Sequence, residues 1–99
     1  MNGNADWTAP ADLAAAQGHF PGNPIVPGAV LLQEIMAAIA PDHPGHACLG
    51  VPAAKFHHPV RPGERIEIAW QGPAAAVRFT ATLSHGARAV SGVLHFAPS

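Results

Sequence analysis

The chain has 99 residues, 48% hydrophobic and 11% charged, with a formal net charge of -1 at pH 7. That length fits one domain, residues 1–99, with a modest core whose spare apolar surface is naturally covered by a partner. The composition excludes a basic field for nucleic acid, disorder over most of the chain, and an apolar run long enough to span a bilayer.

In chain order, residues 1–6 are polar and are expected to fray. Residues 7–10 fit a short edge strand, and 12–17 a turn or one loose helical turn. Residues 18–28 then place His19 among three prolines and three glycines. Proline fixes φ and glycine permits unusual backbone angles, so a rigid, specifically shaped loop is expected.

One substantial helix is predicted over 29–40, bounded by Pro27 and Pro41. Leu31, Leu32, Ile35, Met36, Ala38 and Ile39 form a broad apolar arc, flanked by Gln33 and Glu34 on opposite sides. That arc is too wide for an exposed surface helix and suits burial against a sheet and a partner. Residues 42–45 form a turn.

The period then changes to that of strands. A strand over 49–57 is weakened by Pro52, and 59–63 is a connection. In 65–71 Ile66, Ile68 and Trp70 share one face. Val77, Phe79, Ala81 and Leu83 alternate with polar residues, His85-Gly86 turns the chain, and 87–96 is a last strand interrupted by Gly92. Short turns imply an antiparallel meander, and one helix with about five strands defines an α+β domain.

Cys48 is the only cysteine, so no internal disulfide is expected, and the N-terminus lacks the basic region and apolar run expected of a signal peptide. Both facts fit a cytoplasmic protein, with Cys48 a small buried residue. His57 and His58 are adjacent and point to opposite faces of a regular strand, poorly placed to share a metal. His43 and His46 read as a loose surface pair in a Pro/Gly turn, without the ligand cluster that zinc needs. Trp70 and Phe79 are expected as core or interface anchors.

The run His19-Phe20-Pro21-Gly22, then Pro24, then Pro27-Gly28, resembles the signature of the hot-dog-fold 3-hydroxyacyl-acyl-carrier-protein dehydratases. The downstream run from Lys55 to Glu64 (Lys-Phe-His-His-Pro-Val-Arg-Pro-Gly-Glu) is similar to their RFRRPVxPGD segment. The resemblance covers residues 17–96, and the region before His19 is much shorter than in full-length dehydratases. It implies a curled antiparallel sheet around one central helix and a homodimer with a continuous sheet. It also implies active sites at the subunit interface, where a histidine from one subunit meets an acidic residue from the other's helix. The substrate would be an acyl chain on the phosphopantetheine arm of an acyl carrier protein, or on coenzyme A, with no metal or other cofactor.

By that resemblance His19 is the general base or acid. Dehydration removes a proton from C2 and delivers one to the departing C3 hydroxyl, work that imidazole does near neutrality. Gly28 opens the helix, where a backbone N–H can polarise the thioester carbonyl as charge develops. Phe20 and Pro21 shape the loop and tunnel. Phe56 either lines the acyl site or packs on the helix.

Counting from His19, the family's acidic residue falls on Gln33, with Glu34 one place later and about 100 degrees around the helix. A glutamine orients a water or hydroxyl but carries no titratable proton. A general acid is worth 10²–10⁴-fold, about 3–5 kcal/mol. Three accounts stay open: a dehydratase with slow or histidine-only chemistry, a Glu34 that reaches the site through a distorted helix, or an acyl-thioester-binding or accessory protein. Thioester hydrolysis is a further alternative.

Overall fold

The computed structural model describes residues 2–12 and 24–99. In chain order the elements are β1 (Asn2–Thr8), α1 (Gly28–Ile39), β2 (His46–Phe56), β3 (Arg65–Gln71), β4 (Val77–Leu83) and β5 (Arg88–Pro98). The strands form one sheet in the order β1-β3-β4-β5-β2, and every neighbouring pair is antiparallel.

The period-2 pattern does what it predicts. Ile66, Ile68 and Trp70 of β3, and Val77, Phe79, Ala81 and Leu83 of β4, are all buried. They share a core with Leu31, Ile35 and Ile39, the buried row of α1. Each such aliphatic side chain contributes about 1.5–3 kcal/mol by leaving water. Leu32, Met36 and Ala38, the rest of the predicted arc, are only half-buried.

Two bulges curl β2. Residues 46–48 pair with 98–96, Gly50 pairs with His95, and 53–56 pair with 93–90. So β2 takes up two residues more than β5 over the same length, which bends the strand. Pro52 falls between the paired residues Gly50 and Ala53, in the second irregularity. Proline is tolerated at a bulge because no ladder donor is needed there.

Gly92 is no interruption. A Cβ there would strike the Ala53 carbonyl oxygen and press on Ala54 Cα and a Phe79 ring carbon at 3.0 Å. The pattern of β5 breaks instead at Ala89 and Val90, both buried, where the register against β4 shifts.

The N-terminal expectation fails. β1 runs through residues 2–8 and pairs with the whole of β3, so residues 2–6 are paired and 9–10 lie outside the strand. Its inner row is Gly3, Ala5 and Trp7, small enough at one end to lie on the Trp70 ring. Outside, Arg65 Nη2 pairs with Asp6 at 2.5 Å.

The helix passes through a 3₁₀ turn, Ala40–Asp42, as Pro41 requires. Asp42 Oδ2 accepts the Trp70 indole N–H at 2.7 Å, tying this turn to β3. His43 is not a surface residue: it is 7% exposed and stacks on Phe96 with ring centroids 5.1 Å apart. Cys48 is half-buried rather than buried, its thiol directed at the Gly50 carbonyl at 3.6 Å.

Candidate functional site

Residues 24–27 approach α1 without regular structure and are pinned by one strong bond, the Val26 N–H donating to the Val60 carbonyl at 2.7 Å. The 59–64 connection is held in turn against the chain at Ala9, which donates to Glu64 and accepts from Gly63. Pro27 caps the helix with an extended backbone, and its carbonyl accepts from Val30 and Leu31. The amides of Gly28 and Ala29 therefore have no acceptor within the helix, and they carry the positive end of its dipole.

Phe56, the last residue of β2, lies against this point. A Cβ on Gly28 would come within 2.7 Å of the Phe56 ring. The ring is nonetheless 53% exposed. Gly28 and Phe56 thus meet, as the sequence separately picked them, and Phe56 both packs on the helix start and lines a cavity. That cavity holds about 480 Å³, and Ile25, Gly28, Leu31, Phe56, His58 and Val60 are among its walls. Pockets of this size and apolar character suit small ligands. A roomier depression, about 600 Å³, is walled by Asp6, Arg65 and Glu67, whose ion pairs make it polar. The apolar cavity is the candidate for an acyl group.

His19, Phe20 and Pro21 lie outside the described residues. Gln33 is exposed and Glu34 half-buried on the opposite flank of the buried row. The helix is uninterrupted from Gly28 to Ile39, without the local distortion that would bring Glu34 round to Gln33's direction.

The two adjacent histidines follow the end of β2 at Phe56, outside any strand, and their side chains engage different partners. His57 Nε2 lies 2.9 Å from Ser91 Oγ. His58 instead turns toward the β4–β5 turn, its ring edge-on to His85 with centroids 5.3 Å apart. His85 Nε2 is in turn 4.0 Å from Glu64 Oε2. Sequence reasoning missed this grouping, because no local pattern places residue 85 beside residues 58 and 64. Among the described residues, no group of three or more His, Cys, Asp and Glu side chains is placed to hold a metal ion.

A helix cradled by a curled antiparallel sheet, with an apolar cavity at the helix opening, defines the hot-dog class. The ApeI-like (ApeI dehydratase) family model matches residues 2–93, and the chain belongs to that family. Over 60 aligned residues it is 42% identical to a 3-hydroxyacyl-[acyl-carrier-protein] dehydratase FabZ of Chloroflexus aggregans, covering 52% of this chain and 42% of that protein. The chain spans less than half the length of the curated FabZ relatives it matches. In fold it is similar to the dehydratase heterocomplex ApeI:P from Xenorhabdus doucetiae, with TM-score 0.83 and 20% identity over 97% of this chain and 87% of that one. The R-hydratase PhaJ1 of Pseudomonas aeruginosa gives 0.73 and 19% over 99% and 79%.

Proposed function

We propose that this chain dehydrates a 3-hydroxyacyl thioester, carried on the phosphopantetheine arm of an acyl carrier protein, to the trans-2-enoyl thioester. The observation that carries the reading is the apolar cavity at the helix opening, where Gly28 and Phe56 meet. In it the acyl chain lies along Leu31, Phe56 and Val60, and the thioester oxygen faces the unpaired amides at the helix start. Those amides stabilise the charge that develops when C2 loses its proton. His19 takes that proton, and Gln33 on the helix of the second subunit orients the departing hydroxyl. No other cofactor is required. Lys55, Arg78 and Arg88, with no ion pair among the described residues, suit an acidic carrier protein.

The proposed setting is a homodimer of single-domain chains in the cytoplasm. Two features favour association: β2 is an end strand of the sheet, and Leu49 on it is 66% exposed. Gln33 favours a second reading, in which the partner is a different hot-dog chain with an acidic residue at the matching helix position. The dehydratase heterocomplex ApeI:P is a precedent for a dehydratase assembled as a heterocomplex.

Mass spectrometry of 3-hydroxyacyl carriers of several chain lengths, incubated with the purified chain, tests the reaction. Loss of water with the thioester intact is expected. Release of free carrier thiol would show a thioesterase instead. Co-purification of a second hot-dog chain from the native source would favour the heteromeric reading.

A further inference from the structure

We infer that Phe56 is the specificity-determining wall of the cavity, a ring that closes the helix start until an acyl chain displaces it. Chains long enough to lie against the turned ring are accepted, and acyl groups of a few carbons are selected against. This rests on the dehydratase reading above and supplies the acyl class that the reading leaves open.

The walls of the cavity are unequal. Val26, Leu31 and Val60 are at most 3% exposed and belong to the core. The bond from the Val26 N–H to the Val60 carbonyl ties two of them together. Close packing holds such walls in place. Phe56 is 53% exposed and is the last residue of β2, an end strand paired with β5 on one side only. Its ring meets Gly28 with its far edge: Cζ lies 2.7 Å, Cε1 2.9 Å and Cε2 3.4 Å from where a Gly28 Cβ would stand. That edge is the part of the ring that a change between staggered χ1 wells moves furthest.

The closed ring and the thioester compete for one place. A helical Cα–Cβ bond tilts toward the helix N-terminus, the end to which the free Gly28 and Ala29 amides also point. A ring edge seated at the Gly28 Cβ position covers that end, so the thioester oxygen reaches the amides once the ring has turned away. Turning removes the ring edge from Gly28 and returns apolar area to water, which opposes opening in proportion to that area. An acyl chain laid against the turned ring covers the area again. A chain of a few carbons ends before the ring is covered, and a longer one covers it.

The test uses the purified chain in its native assembly, with kcat and KM measured for 3-hydroxybutanoyl and 3-hydroxydecanoyl carriers. Removing a displaceable wall relieves the short substrate most. Phe56→Ala should therefore shrink the preference for the decanoyl carrier about 10-fold, chiefly through a lower KM for the butanoyl carrier. A fixed wall predicts the opposite sign, because the room left by Phe56→Ala would favour the longer chain. A preference that is unchanged or that grows overturns the inference.

Fluorine NMR follows the ring without turnover. The chain has four phenylalanines, and with para-fluorophenylalanine at all of them the signal lost in Phe56→Leu identifies Phe56. A non-reactive decanoyl-pantetheine amide should move that signal, and an acetyl-pantetheine amide should move it several-fold less. In Gly28→Ala, whose methyl group takes the seat of the ring, the signal should stand displaced before any ligand is added. A Phe56 signal indifferent to the decanoyl amide, or to Gly28→Ala, also overturns the inference. Wild type that yields no enoyl product from any carrier overturns the dehydratase reading instead, and the fluorine signal then decides whether the ring admits acyl chains by length.

Discussion

At the scale of single residues, Gly28 and His43 show how one atom decides a role. At Gly28 the missing Cβ leaves room for the Phe56 ring, 2.7 Å from where that atom would be. Gly28→Ala favours the helix locally yet pushes the ring off the helix start. Turnover should fall at least 10-fold with little loss of thermal stability, because a half-exposed ring can yield. Unchanged kcat/KM would separate Gly28 from the chemistry. His43 is buried with Nε2 lacking any hydrogen-bond partner among the described residues. An unpaired buried polar atom costs about 1–3 kcal/mol, so His43→Phe should stabilise the fold by about 1 kcal/mol in urea unfolding. A loss of stability would mean that this nitrogen has a partner after all. Neither feature was legible in full beforehand. The motif pointed to Gly28, but a histidine in a Pro/Gly turn gives no sign that Phe96 lies across from it.

At the scale of elements, regular period was readable and irregular pairing was not. The alternation of 65–71 and 77–83 located β3 and β4 because one face is wholly apolar. The helix was equally plain, since Pro27 and Pro41 bracket a broad apolar arc. β1 was obscured because its inner row is mostly small, and its pairing depends on Trp70 and Arg65 some 60 positions away. The bulges of β2 were hidden for a related reason. They depend on how β2 meets β5, not on the composition of β2 alone. Gly92 marks that meeting, where the backbone of residues 53–54 passes too close for any side chain. Gly92→Ala should cost about 1–3 kcal/mol, as overpacking against a fixed backbone does. An unfolding midpoint equal to wild type would show that β2 moves aside freely.

At the scale of the whole molecule, the fold puts its apolar cavity where a helix begins and places β2 at an end of the sheet. The family resemblance in the two proline-glycine segments made the hot-dog architecture legible, and the two segments meet at the cavity wall, where the Val26 N–H donates to the Val60 carbonyl. What the sequence left unsettled is the proton donor, since Gln33 stands at the position of the family's acidic residue. If two chains join along β2, Leu49→Asp should convert a dimer to a monomer in sedimentation and lower turnover with it. A dimer that survives the substitution would move the interface elsewhere. The most direct measurement of the central claim is single-turnover conversion of a 3-hydroxyacyl carrier thioester by wild type and by His19→Ala. Enoyl thioester should form with wild type and slow at least 10²-fold in the variant. No product from wild type, or equal rates for the two proteins, would contradict the account.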